Sequence, residues 1–296
     1  MIWKTNKRNQ LLFFAGFISL LGFLLWSAVS AIIPHALQIF FFDVGQGDGI
    51  LVRTVNGQNV LIDGGPDRSI VYKLEKALPW YDRTIDVVIL THPHADHVAG
   101  LIEVAKRYNI GRVVSTGAVH TTPEYLEWLD LLKKKKKTID VFKQDDTLTL
   151  DHGVTFTALA PIRSLAGERV EDLNNTSLVL LLQTPSSRIL LMGDAEELVE
   201  KHILQSHKAL IQSVDVLKVG HHGSRNATTK DFLDIVKPHY AVISAGAKNQ
   251  FSHPHLETLV RLREAGTEIF RTDQGGDIVF EETKEGILIK RSKPND

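Results

Sequence analysis

The chain has 296 residues, 43% of them hydrophobic, enough for one large domain or two small ones. Lys and Arg total 34 against 35 Asp and Glu, and past the first 34 residues the balance is acidic, which argues against bulk-charge coating of nucleic acid but not against a local basic groove. With no cysteine, a disulfide framework and a thiolate-held zinc are excluded, so any metal must be held by His, Asp, Glu or Asn.

Residues 11–33 carry no charge and, as a helix, would span about 35 Å, enough for a bilayer core. Lys4, Lys7 and Arg8 precede this run, and the next charged residue is Asp43. The positive-inside bias then puts the N-terminus in the cytoplasm and the rest outside. Residues 1–36 are therefore expected to be a single-pass membrane anchor and residues 37–296 an extracytoplasmic domain. The alternative is a secreted chain, because 27–31 (SAVSA) offers small residues at signal-cleavage spacing.

Residues 38–42 and 50–55 read as strands, with an Asn56-Gly57 turn leading to a third strand at 60–62. Counting directions, the Gly-rich turn 43–48 and Asp63 share one sheet edge, and the 56–57 turn lies on the other. Strand 85–90 follows, and residues 91–100 (THPHADHVAG) leave its end. Here three imidazoles and a carboxylate fall within six positions, ligands that suit zinc, manganese or iron. In an extended segment His92 and His94 point the same way. Asp96 and His97 open a helix whose apolar positions are Val98, Leu101, Ile102 and Ala105. Two ligand pairs leaving one loop in two directions suit two adjacent metals better than one.

A helix is expected over 123–137, ending in five lysines, Lys133 to Lys137. Such a run can attract a polyanion; the plainer reading is a solvated helix end. Strands are expected at 154–159, 177–182, 189–192, 214–219 and 240–244, and a helix at 195–210. Two of these strands end in motifs of their own: Gly193-Asp194, and residues 220–224 (GHHGS) with His221 and His222. His253 and His255 lie on a later loop without a carboxylate and read as pocket lining. His120, His152, His202, His207 and His239 lack such context and read as surface residues.

Taken together, residues 43–48 (DVGQGD), 61–65 (LIDGG), 92–97 (HPHADH), 191–194 (LMGD), 217–224 (LKVGHHGS) and 249–255 (NQFSHPH) resemble the C-terminal metallohydrolase domain of the ComEC family of competence proteins, within the metallo-β-lactamase superfamily. The resemblance runs through essentially all of 37–296. It implies an α/β four-layer αββα sandwich holding two divalent ions, zinc or manganese. By motif match, His92, His94, Asp96 and His97 are ligands, Asp194 bridges the ions, and His221 completes the second site, with His222 as the alternative. Asp96 and Asp194 are the implied catalytic carboxylates, and Asp63 supports the ligands or joins them. Many superfamily members carry a further histidine where this chain has Asn174-Asn175, leaving the first site short of a nitrogen. The implied activity is hydrolysis of phosphodiesters, nuclease action on DNA by the family's example, with Ser224, Arg225 and His253 contacting phosphate oxygens. Rival readings are a hydrolase of cell-envelope phosphate esters, lactams or lactones, or a non-catalytic module that binds DNA or a partner. The large ComEC proteins also have a multi-helix channel domain; with one hydrophobic segment, this chain is expected to work beside a separate channel protein.

Overall fold

The computed structural model describes residues 7–30, 36–283 and 286–291, with side chains from residue 10 to residue 26 in the first stretch. Helix α1 runs Lys7–Ser30, and its large apolar side chains from Leu11 to Trp26 are exposed. Among the described residues no helix is long and apolar enough to cross a membrane. Residues 31–33 of the apolar run lie outside them.

The strands are β1 (Gln38–Phe41), β2 (Ile50–Arg53), β3 (Asn59–Ile62), β4 (Thr84–Leu90), β5 (Asn109–Ser115), β6 (Ile139–Val141), β7 (Thr147–Thr149), β8 (Thr155–Ala160), β9 (Val179–Gln183), β10 (Arg188–Leu191), β11 (Val216–Lys218), β12 (Tyr240–Ile243), β13 (Glu268–Arg271), β14 (Ile278–Thr283) and β15 (Gly286–Arg291). They form two sheets, ordered β15-β14-β1-β2-β3-β4-β5-β6 and β13-β12-β11-β10-β9-β8-β7. Period-two alternation explains how they stack. In β2 to β4, Ile50, Val52, Val60, Ile62, Val87 and Ile89 face Phe156, Leu180, Leu182, Ile189 and Leu191 of the second sheet, in one core between the sheets. The intervening Leu51, Leu61, Val88 and Leu90 face outward into a second core under α2 (Ser69–Ala77), α3 (Ala95–Arg107) and α4 (Pro123–Lys134). Leu181, Leu190 and Leu217 do the same on the other side, under α5 (Glu197–Ser206), α6 (Lys208–Ile211), α7 (Lys230–Val236) and α8 (Leu256–Glu264). The result is the expected four-layer αββα sandwich, the metallo-β-lactamase fold. Each fully buried Leu, Ile or Val contributes about 1.5–3 kcal/mol. That is why central strands with apolar residues on both faces read as unbroken hydrophobic runs.

β1, β2 and β3 alternate in direction, whereas β3, β4, β5 and β6 are parallel. Turn 43–48, Asp63 and the histidine segment therefore emerge at one edge, the upper edge. β10, β11 and β12 are parallel too, and 193–194, 219–224 and 244–253 leave their upper ends. Gly100 lets α3 sit on the end of β3, since a Cβ there would lie 1.8 Å from the Gly64 carbonyl oxygen.

Several boundaries differ from the sequence expectation. α4 stops at Lys134, and the N–H groups of Lys135, Lys136 and Lys137 turn back onto its last carbonyls. The 195–210 helix is two, broken at His207. β5 was not expected, because its Asn109, Gly111 and Arg112 interrupt the apolar pattern. A short helix, α9 (Thr272–Gly275), follows β13.

Candidate metal centre

Asp194 is the hub of the upper edge. Its Oδ2 lies 3.3 Å from His222 Nε2, 3.4 Å from His97 Nε2, and 3.9 Å from both His92 Nε2 and His221 Nε2. Asp96 stands opposite, 3.6 Å from His222 Nε2 and 4.0 Å from His97 Nε2. His94 Nδ1 is 2.9 Å from His92 Nε2. Three overlapping groups have the spacing of a cation site: His92–His97–Asp194, Asp96–His97–His222 and Asp48–Asp194–His222; Asp48–Asp63–His97 is a fourth.

The surroundings fix how these rings point. Buried Asp63 accepts from the Thr91 N–H (2.8 Å) and hydroxyl (2.7 Å), and from His97 Nδ1 (2.7 Å). Because the Thr91 hydroxyl donates to Asp63, it can only accept from His92 Nδ1, 3.1 Å away. One carboxylate thus turns the Nε2 atoms of both His92 and His97 toward Asp194, the arrangement metal-ligating histidines usually have. On the far side, His222 Nδ1 donates to the Ser244 carbonyl (2.9 Å), leaving its Nε2 for the cluster. His221 and His222 are both left-handed, at φ 44° and 53°, and this strained turn brings the Nε2 atoms of both adjacent rings to Asp194 Oδ2. His221 is half-buried, with Nδ1 2.8 Å from Glu196 and Asn174 Nδ2 3.3 Å from its ring.

The electrostatics of the centre favour positive charge. Burial opposes a proton on His97, yet Asp194, Asp63 and Asp96 together hold its pKa well above the usual range. His222 is likewise pushed up to about 9, by Asp194, Asp96 and Asp48 against burial. His222 and His97 in turn hold Asp194 well below the carboxylate range despite its burial. Burial pushes His92 and His94 down. Four buried atoms at the centre, His97 Nε2, His222 Nε2, Asp194 Oδ1 and Asp48 Oδ1, have no hydrogen-bond partner. Such atoms are costly unless something binds them, and imidazole nitrogen with carboxylate oxygen is a donor set suited to zinc or manganese. The residues present fit a divalent cation.

Of the residues expected at the site, His92, His94, Asp96, His97, Asp194, His221 and His222 converge, and Asp63 supports two of the rings. Asn174 lies against His221. His253 packs edge to face beside them, its ring 5.2 Å from His221, and burial and His221 lower its pKa to about 4. Ser224 is buried, with Oγ accepting from the Asn226 N–H at 3.4 Å, and Arg225 is exposed. Sequence reasoning missed Asp48, Lys218 and Glu196. Asp48 reaches the centre because Gly47, at φ 135°, packs where a Cβ would sit 2.2 Å from the Asp96 carbonyl oxygen. Fully buried Lys218 pairs with Asp48, donates to the Gly193 carbonyl at 2.9 Å and lies 3.9 Å from Asp194 Oδ1. Its signal was a lysine inside an apolar strand, since lysine is almost never fully buried unpaired.

Known proteins resemble the chain in sequence and in fold. ComE operon protein 3 of Bacillus subtilis is 28% identical over 95% of this chain and 37% of its own length. Competence protein ComA of Neisseria gonorrhoeae is 28% identical over 88% of this chain and 34% of its own. The chain thus spans about a third of the length of these relatives. Among solved structures, the metallo-beta-lactamase fold protein YhfI from Bacillus subtilis superposes with a TM-score of 0.54 at 14% identity, covering 81% of this chain and 98% of that one, a likeness of fold alone. The family model of the metallo-beta-lactamase superfamily matches residues 42–247, and the chain belongs to that superfamily.

Proposed function

We propose that the chain is a two-metal phosphodiester hydrolase, acting on DNA outside the cytoplasm and held at the membrane by residues 11–33. The observation that carries the reading is the convergence of His92, His97, Asp96 and His222 on Asp194, with the Nε2 atoms of His97 and His222 buried and without a hydrogen-bond partner among the described residues. On this reading His92, His94 and Asp194 hold one ion, Asp96, His97, His222 and Asp194 hold the other, and both are zinc or manganese. When bound, two such ions lower the pKa of a water and neutralise charge on the attacking and leaving oxygens of an in-line displacement. The protein's own part is to fix geometry. Asp63 holds two imidazoles in register, and Arg225 and neutral His253 line the approach for a phosphate. Ser224 holds the turn that carries them. The competence relatives support DNA as the substrate, and a separate channel protein is then the natural partner.

The test is a hydrolysis assay on the metal-free chain reloaded with manganese or zinc, offered DNA, bis-(p-nitrophenyl)phosphate and a β-lactam. Metal-dependent cleavage of the first two is expected. Turnover of the lactam alone overturns the phosphodiesterase reading, and no turnover of any substrate by chain carrying two metal equivalents favours a non-catalytic binding module.

A further inference from the structure

The lower edge of the first sheet gathers three features that the metal chemistry does not use. β1, β4 and β6 all start there, so the segments before them share that edge. The first is the chain's entry at Ala36–Leu37, coming from apolar α1. The second is Trp80–Tyr81, whose rings meet edge to face at 5.7 Å and which are 82% and 51% exposed. The third is the lysine run, with Lys133 to Lys136 exposed. From β1 to β6 is five strand spacings, about 24 Å.

Each feature has a plain explanation alone, but not all three in one row. Two lysines suffice to complement the end of α4, yet the run continues past it. Among the described residues Lys134 alone of the run has an ion pair, with Asp130 at 2.5 Å, while Lys137 donates to the Gly111 carbonyl. Three carboxylates of the same edge hydrogen-bond to neutral donors and, among the described residues, form no ion pair with the lysines. Asp82 accepts from Asn59, Asp151 from Thr54 and Glu282 from Thr184. Exposed Trp and Tyr beside unpaired lysines are the residues favoured where protein meets anionic headgroups.

We propose that this edge docks on an anionic lipid surface, with Trp80 and Tyr81 in the headgroup layer and Lys133–Lys137 on acidic headgroups. β4 is seven residues long, about 23 Å. With the strands upright, docking therefore holds the metal edge about that far from the bilayer and facing away from it, open to a polymer in solution. The orientation extends the anchored reading of residues 11–33.

The absence of cysteine makes the test clean. Single labels are placed at Lys76→Cys and Lys135→Cys on the lower edge and at Lys248→Cys on the upper edge, in the full chain, in vesicles of phosphatidylcholine with or without phosphatidylglycerol. Labels at 76 and 135 should be about tenfold less accessible to an aqueous quencher than the label at 248 when phosphatidylglycerol is present. Each lysine shifts such an equilibrium about fivefold, so neutralising Lys133, Lys135 and Lys136 to Gln should abolish the protection at 76. Trp80→Ala should weaken it in both lipid mixtures. Equal accessibility at all three positions, or protection of 135 by added DNA in place of lipid, overturns the proposal. Failure of the chain to float with phosphatidylcholine vesicles would instead count against the anchor, leaving the phosphatidylglycerol-dependent protection to decide the edge.

Discussion

Lys218→Met is the most telling perturbation of the centre, because it changes one buried charge and little volume. Lys218 Nζ holds Asp48 and the Gly193 carbonyl and stands 3.9 Å from Asp194. Removing it leaves Asp48 buried with Oδ1 already unpartnered and Oδ2 newly so. Breaking one partner out of a buried pair costs about 3–5 kcal/mol. For a chain of this size that lowers Tm by roughly 6–20 °C. The measurement is thermal unfolding followed by circular dichroism in chelator, beside Asp48→Asn and the double variant. The double variant should recover at least half the loss, because it removes the uncompensated charge. Adding manganese should also stabilise Lys218→Met more than the parent, since a freed Asp48 joins Asp194 and His222 as a third ligand. A single variant as stable as the parent, or a double variant no better than the single, would show that the pair is not the support described.

Asp194→Asn should cut metal content below two equivalents and hydrolysis by orders of magnitude, read by elemental analysis beside the DNA assay; two equivalents with full activity would remove Asp194 from the bridge. His222→Ala should empty the Asp96–His97 side, whereas His221→Ala should lower affinity on the His92 side with one ion retained; both are read by titration of metal-free protein. Asp63→Ala should weaken metal binding about 10–100-fold while leaving every ligand in place, because it frees two rings to rotate. Metal uptake should displace protons from His97 and His222, both held above the usual imidazole range, so affinity should rise with pH through the neutral range and toward about 9, where His222 loses its proton unaided. Calorimetry in buffers of different ionisation enthalpy checks the sign.

Much of this was legible in the sequence because the site is made at strand ends. An apolar run that stops at a ligand and a glycine locates a ligand on an edge, and counting strand directions told which edge. That logic placed Asp63, the 92–97 segment, Asp194 and the His221-His222 pair together. It failed for Asp48, where Gly and Asp are equally good turn residues and only the contact of Gly47 with the Asp96 backbone distinguishes the two readings. It failed for Glu196 and Lys218 because their roles depend on pairing across strands. Choosing between His221 and His222 was beyond it as well. Adjacent residues in a strand face opposite ways, but these two are left-handed, and their directions are set by the folded turn.

Those directions bear on the histidine this chain lacks. The Asn174 amide nitrogen lies against the His221 ring, and its Oδ1 is buried without a hydrogen-bond partner among the described residues. His221, in turn, has Glu196 on Nδ1 and presents Nε2 to Asp194 at the same 3.9 Å as His92. A ring backed by a carboxylate and aimed at the shared aspartate is placed as a ligand is placed. On the proposed reading, the doubled histidine then serves two sides of Asp194: His222 completes the buried Asp96–His97 side, and half-exposed His221 faces the side that Asn174 leaves short. The two ions would differ in consequence. The first would share half-buried His221, restrained by Glu196 and Asn174, and the second would sit among fully buried His97 and His222. Sequential loading, with the buried side filling first, follows from that difference in burial and in anionic charge.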